Sequence, residues 1–288
     1  MHVLITGAGG TVGRFLAHRM LTEGHDVTSL GRAPVADMPL AFSPFDLANP
    51  VPDLPRADVL IHCALHHAPG KFRGGEGTDP DRFWRLNVDG TKALFAAAKA
   101  TSCRHAVFVS SRAVYGDHRG GETLREADEP APDTLYGEAK LAGEHQLSDL
   151  CDEAFCGIVL RTTGVYGVAP GLREHKWSGL FDSFLSGNRI EPRCGTEVHG
   201  DDLAAAVALL LKQGNTGKRF DVFNVSDLML DRSDLLGMLA SLRAVGIEVP
   251  EKSSRIPGEM DTARLRALGW KPGGVQRLQD FLNTCSPV

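Results

Sequence analysis

The chain has 288 residues, 42% of them hydrophobic, which is enough for one large or two modest domains around an ordinary core. Its 31 basic and 36 acidic side chains leave a net charge of −5, spread without long runs of one sign, which argues against a nucleic-acid surface. No stretch approaches the roughly 20 continuous apolar residues of a membrane span, and Met1 to Thr6 lead into a strand rather than an export signal, so a cytoplasmic protein is expected.

His2–Thr6 is a short β-type run, glycines at 7, 9, 10 and 13 break it, and apolar residues over 12–21 recur at helical spacing. Strand, turn, helix is the predicted order. The alternation repeats with strands at 26–30, 41–45 and 58–64, a long alanine-rich helix over 81–100 and a strand at 105–110. A helix over 134–150 and a strand over 157–163 follow. Apolar strands alternating with helices predict a parallel sheet covered on both faces, because each connection must cross over through a helix. The expected fold class is therefore α/β, a doubly wound parallel sheet of Rossmann type with a smaller C-terminal substrate lobe.

Residues 164–198 are loose and rich in Gly, Pro and Arg, with one short helix predicted at Ser178–Leu185. A helix at 201–211, a returning strand at 221–225 and helices near 232–242, 261–268 and 274–282 complete the pattern. The expected organisation is a dinucleotide-binding domain over 1–165, rejoined by 199–225, with 166–198 and 226–288 forming the small lobe. The six cysteines are scattered, without a C-x-x-C pair or histidines at zinc spacing, so reduced thiols and no metal are expected.

The turn Thr6-Gly7-Ala-Gly9-Gly10-Thr11-Val12-Gly13 places glycines where a chain must turn tightly, admit a pyrophosphate to the backbone and pack a helix on its strand. The helix that follows aims its N–H groups at the phosphates. With a strand before it and a helix after it, the turn predicts dinucleotide binding. At the end of the second strand an acidic residue would grip both ribose hydroxyls and select NAD, but Gly31 stands there and Arg32 follows. The guanidinium of Arg32 offers a fork of donors to a 2′-phosphate, which favours NADP. The alternative is that Arg32 is solvated or stacks on adenine, in which case NAD and NADP both bind.

Tyr136-Gly-Glu-Ala-Lys140 puts a phenol and an ammonium four residues apart, on one helix face. A nearby cation favours the phenolate and so moves a tyrosine, ordinarily near ~10, toward the working range of an acid/base. His62, His66 and His67 cluster at the end of the fourth strand, where substrate and cofactor should meet. His66 or His67 can bond a substrate hydroxyl.

Together with Asp46-Leu47, Cys63-Ala64, Asn87-Val-Asp-Gly-Thr91, Ser110-Ser111, Tyr115-Gly116, Arg161, His199-Gly-Asp-Asp202, Asn224 and Leu268-Gly-Trp-Lys-Pro272, these motifs resemble the extended short-chain dehydrogenase/reductase family, also called the NAD-dependent epimerase/dehydratase family. The resemblance covers nearly the whole chain. It implies that Tyr136 is the general acid/base, that Lys140 binds the nicotinamide ribose and lowers the tyrosine pKa, and that Ser111 holds the reacting oxygen. It places Asp46 and Leu47 by the adenine, lines the cofactor groove with Cys63 and Ala64, gives Asn87 a part in relaying protons, and implies a homodimer through the helices of the Asn87 and Tyr136 segments.

Departures from the family pattern narrow the chemistry. Dehydratases carry an acidic pair after the active-site hydroxyl, where this chain has Arg112 and Ala113. The arginine that grips a sugar-nucleotide diphosphate before the His-x-x-Asp segment is missing from Cys194-Gly-Thr-Glu-Val-His199, with Arg193 only close in sequence. The short lobe suits a sugar acid, lactone or polyol, and Arg173 or Arg112 is the candidate grip on a substrate carboxylate. The expected function is an NAD(P)-dependent oxidoreductase on a small carbohydrate-like substrate. The alternatives are an epimerase, for which no second acid/base declares itself, and a non-catalytic NADP-sensing regulator, against which the intact Ser111, Tyr136 and Lys140 set speaks.

Overall fold

The computed structural model describes residues 1–68, 75–214 and 218–285. Its main sheet contains β1 (His2–Thr6), β2 (Asp26–Gly31), β3 (Ala41–Pro44), β4 (Val59–His62), β5 (His105–Ser111), β7 (Cys156–Thr162) and β10 (Phe220–Val225). The seven strands run in the order β10-β7-β5-β4-β1-β2-β3 and every pair is parallel. β1, β4 and β7 are buried throughout or nearly so, as expected of strands covered on both faces.

One face of the sheet packs on α1 (Thr11–Thr22) and α6 (Gly200–Gln213) around Val3, Ile5, Phe15, Leu16, Val207 and Leu160. The other packs on α3 (Gly90–Ala100) and α4 (Leu135–Leu150) around Leu4, Leu60, Leu94, Phe95, Phe108 and Leu147. The sheet order reverses between β1 and β4, which opens a crevice at the C-terminal ends of these strands, the usual ligand position in such folds.

The helix predicted over 81–100 is interrupted. It is α2 (Pro80–Trp84), a π-helical segment Arg85–Asp89, and then α3. The side-chain amide of Asn87 donates to the carbonyl of Phe83 at 2.9 Å, the acceptor that its backbone N–H would take in an α-helix. A side-chain bond of this kind cannot be read from hydrophobic periodicity.

Three strands outside the main sheet form a second one in the order β11 (Leu228–Asp231), β9 (Cys194–His199), β8 (Gly164–Tyr166). The chain crosses from the large sheet to the small one at Thr163, and the hydroxyl of Thr163 bonds to Thr196 of β9. The short strands β6 (Thr123–Leu124) and β12 (Glu259–Met260) pair in parallel. Over the small sheet α5 (Ser178–Leu185), α7 (Arg232–Arg243) and α9 (Gly274–Thr284) enclose a separate core of Tyr166, Trp177, Phe184, Leu236, Leu278 and Phe281. The short helix α8 (Ala263–Ala267) lies between β12 and α9.

The outer edge of β10 is blocked by side chains. Glu126 accepts from the N–H of Asn224 at 3.0 Å, Asp221 from that of Val222 at 3.1 Å, and Arg264 donates to the carbonyl of Val222 at 2.7 Å. An edge capped in this way presents few free groups to another strand.

Candidate active site

The glycine turn is built on two close approaches. Gly7 has φ +69 and its Cα lies against the backbone of Ala64, where an added Cβ would come within 2.9 Å of the amide nitrogen. Gly13 sits beneath the turn, and a Cβ there would drive into the Gly7 carbonyl and the Cα of Ala8. Gly10 caps α1 without a side-chain hydrogen bond, and among the described residues no side chain is hydrogen-bonded to the N–H groups of Thr11, Val12 and Gly13 that open the helix. A cradle lined by backbone donors, at a helix N-terminus, fits a pyrophosphate. Gly9 and Gly10 are exposed at its lip.

Thr6 ties this turn to the end of β4. Its Oγ1 accepts from the N–H groups of Cys63 and Ala64, both at 3.2 Å, so its own proton goes to Nδ1 of His62 at 2.7 Å. Nε2 of His62 then carries the ring proton and donates it to Thr91 at 2.9 Å. The ring stacks on Phe108, and burial holds its pKa down to about 3. His62 is therefore a neutral structural bridge. The thiol of Cys63 donates to the Thr6 carbonyl at 2.8 Å, and burial raises its pKa to about 12, so it stays a thiol.

Gly31 ends β2, and Arg32 follows it, exposed. Arg32, Arg82 and Asp46 all lie within electrostatic reach of His66. Asp46 also accepts from the N–H of Ala48 at 3.0 Å, while Leu47 packs against Gly90. Burial, followed by the charge of Arg82, lowers the pKa of His66. The Nδ1 of His67 bonds to the carbonyl of Ala68 at 2.8 Å.

Asn87, expected to take part in relaying protons, is engaged by backbone groups. Its Oδ1 accepts from the N–H of His66 at 2.7 Å and its Nδ2 donates to the carbonyls of His66 and Phe83, both at 2.9 Å. With these bonds the amide clamps the segment after β4 against the π-helical turn.

Tyr136 and Lys140 lie on α4, whose N-cap Thr134 accepts from the N–H of Gly137 at 3.1 Å. Gly137 and Gly143 let this helix sit directly on the sheet, since added Cβ atoms would meet the carbonyl of Ala113 at 2.5 Å and the ring of Phe108 at 2.7 Å. The first contact brings the turn carrying Tyr136 against the backbone two residues beyond Ser111. Ser111 ends β5 and accepts from the N–H of Ala113 at 3.1 Å, which leaves its own proton to donate. Lys140 is buried, donates to the carbonyl of Val109 at 2.8 Å, and holds its ammonium 4.7 Å from the Phe108 ring centroid and 6.0 Å from that of Tyr136. Burial lowers its pKa to about 8, opposed by Cys63 and Glu144.

Glu144, one turn beyond Lys140, takes the hydroxyl of Ser110 and the guanidinium of Arg161, whose Nη2 and Nε lie 2.7 and 3.1 Å from Oε2. All three are buried. Sequence reading missed Glu144, although its spacing from Tyr136 and Lys140 places it on the same helix face. It also missed Arg14, which links the glycine turn to two later loops. Arg14 bonds to Asp37 at 2.7 and 3.0 Å, to the Gly9 carbonyl at 3.1 Å and to the Pro170 carbonyl at 2.9 Å.

Arg112, a candidate grip on a substrate carboxylate, is engaged within the chain. It is buried, donates to the carbonyl of Gly258 at 3.1 Å and pairs with Asp117 at 2.8 Å, so it fastens the turn after Ser111 to the residue that leads into β12. Arg173 stands exposed on the segment leading to α5. Among the described residues no group of three His, Cys, Asp or Glu side chains is arranged to hold a metal. None of the described helices is long and apolar enough to cross a membrane.

The sequence model of the NAD-dependent epimerase/dehydratase family matches residues 3–226. The chain belongs to this family. Among curated relatives, it is 32% identical over 198 residues to the dTDP-6-deoxy-L-talose 4-dehydrogenase (NAD(P)(+)) of Kitasatospora kifunensis, a match covering 65% of this chain and 59% of that enzyme. It is 25% identical to the UDP-glucose 4-epimerase of Lacticaseibacillus casei over 94% of this chain and 92% of that one. Family relatives thus include both dehydrogenases and epimerases of sugar nucleotides. In fold the chain is similar to MoeE5, solved with UDP-glucuronic acid and NAD, at TM-score 0.79 and 24% identity over 99% of this chain and 97% of that one.

Proposed function

We propose that this protein is an NAD(P)-dependent oxidoreductase acting on a hydroxyl, hemiacetal or carbonyl of a carbohydrate-like substrate, with Tyr136 as general acid/base, Ser111 as the hydroxyl that orients the reacting oxygen, and Lys140 as the cation behind the phenol. The observation that carries this reading is the seating of Lys140. Its ammonium is buried between the end of β5 and the ring of Tyr136, on the helix turn that Gly137 presses against the backbone following Ser111. A cation held there favours the phenolate.

A bound nicotinamide would supply or accept hydride at its C4. The chain's part is to cradle the pyrophosphate with Gly7 to Gly13, to line the groove with Cys63 and Ala64, and to keep Tyr136 ready to move the proton on the substrate oxygen. Arg32, exposed directly after β2 where no acidic side chain stands, favours NADP over NAD.

The near full-length match to an epimerase favours a second reading, in which substrate is oxidised, turned and reduced again without release of the reduced cofactor. Absorbance at 340 nm separates the two. Net change with a panel of sugars, aldonates, uronates and their nucleotide forms marks a dehydrogenase, whereas inverted product without net change marks an epimerase. In either case Tyr136→Phe abolishes turnover and leaves cofactor affinity nearly unchanged. A retained rate would remove Tyr136 from proton transfer.

A further inference from the structure

Gly164 opens β8 two residues after Thr162, the register partner of Ser111, and it pairs across to Glu197 of β9. From Ser111 that path crosses about 4.8 Å to Thr162, runs about 6.6 Å along the chain to Gly164 and crosses about 4.8 Å again to Glu197, a span that the side chains and a sugar ring held at Ser111 can bridge together. A side chain on Gly164 would run into Nζ of Lys176 and Oε2 of Glu197 together. The space beside the catalytic strand is filled instead by an ion pair, Lys176 with Glu197, brought in from the loop before α5 and from β9.

The pair is neither sealed nor loose. The Glu197 side chain is 11% exposed and that of Lys176 33% exposed, with the ammonium 5.7 Å from the Trp177 ring centroid. Gly195, two residues before Glu197 on the same strand, has no side chain to cover the second carboxylate oxygen, and an added Cβ would stand 3.6 Å from Oε1. Among the described residues Lys176 is the only side chain hydrogen-bonded to Glu197. An open acceptor therefore adjoins an ammonium with further N–H groups to give.

We propose that Lys176 and Glu197 form the specificity pair of this site and recognise two neighbouring hydroxyls of an uncharged sugar ring, the ammonium donating to one and Oε1 accepting from the next. The proposal rests on the reading of Ser111, Tyr136 and Lys140 as the reaction centre. A carboxylate or phosphate is a poor match for this position, because Glu197 already balances Lys176 and would face the incoming anion. Arg193, the other cation in reach of Glu197, is on the exposed rim, and Arg173 is exposed three residues before Lys176. An acidic substrate would have to be held by those two instead.

The test uses the full chain saturated with NAD or NADP and a fixed panel: glucose, galactose and mannose, their monodeoxy analogues, their uronic acids, and UDP-glucose and UDP-galactose. Binding is read by calorimetry, and turnover by absorbance and product analysis. For a hydroxylated compound that binds, Glu197→Gln and Lys176→Met each raise the dissociation constant or KM about ten- to a hundredfold. The penalty vanishes for the deoxy analogue lacking the recognised hydroxyl. Because Lys176→Met strands a buried carboxylate, the double variant Lys176→Met/Glu197→Gln, which leaves no unpaired charge, is measured beside it.

Unchanged constants in the folded variants, losses confined to the uronic acids, or no response from any uncharged ring in the panel overturns the proposal. If Tyr136→Phe is inactive while these variants behave as wild type, the recognition pair alone fails. If Tyr136→Phe stays active, the reading of the reaction centre fails instead.

Discussion

Glu144 fixes Ser110 to Arg161 from the helix that carries Tyr136 and Lys140. Through that one carboxylate α4, the end of β5 and β7 are held together, and Ser111 follows directly on the strand end so anchored. The same charge opposes the loss of the Lys140 proton in a buried setting. Glu144→Gln keeps the shape but leaves Arg161 buried without a counter-charge, a change expected to cost about 3–5 kcal/mol in denaturant unfolding. It also moves the Lys140 titration below about 8. A pH profile of turnover that stays in place would show that Glu144 is only a brace.

His62 makes a distinct acid-sensitive contribution. Its folded pKa of about 3 lies below the ordinary histidine value of 6.5, so the neutral form is the one the fold stabilises. That stability is fully present above about 6.5 and is lost as pH falls toward 3. By pH 5 the loss from this group is on the order of 2 kcal/mol. His62→Gln should flatten the fall in unfolding free energy between pH 7 and pH 5 by that amount, and an equally steep fall in the variant places the acid sensitivity elsewhere.

Cofactor choice is carried by Arg32 in the reading proposed above. Arg32→Ala is expected to weaken NADP by about ten- to a hundredfold, the value of one to two charge-assisted hydrogen bonds, and to leave NAD almost untouched. Fluorescence titration with each cofactor decides the matter. Equal losses would mean that Arg32 does not read the 2′-phosphate.

The glycine turn tolerates no added methyl at its base. Gly13→Ala is expected to destabilise the chain by about 1–3 kcal/mol and to abolish cofactor binding, because the new Cβ collides with the Gly7 carbonyl and the Ala8 backbone. Gly237, inside α7 with nothing near its Cβ position, is the control. Gly237→Ala should stabilise by about 0.5–1 kcal/mol in the same melting experiment.

Much of this arrangement was legible in the sequence because it depends on local pattern. Buried apolar strands alternating with amphipathic helices have one economical packing, and glycines at 7, 10 and 13 between a strand and a helix mark a tight turn that lets a pyrophosphate and the packed helix come close. Spacing alone put Tyr136 and Lys140 on one helical face. What spacing could not show is which partner each polar group finds. Asn87 was expected near proton transfer and is engaged by the His66 and Phe83 backbone. Arg112, adjacent to Ser111 in sequence, turns away to Asp117 and Gly258.

The sequence by itself determined the parallel sheet, the glycine cradle and the helix bearing the phenol and the ammonium, since short-range sterics and periodic burial govern them. Only the tertiary structure decided that Lys140 is buried against the end of β5, that Glu144 is shared by Ser110 and Arg161, and that Lys176 and Glu197 occupy the space above Gly164. Those partners are separated by as many as 34 residues along the chain, and a polar side chain's partner is set by which strand ends and loops the completed core brings together.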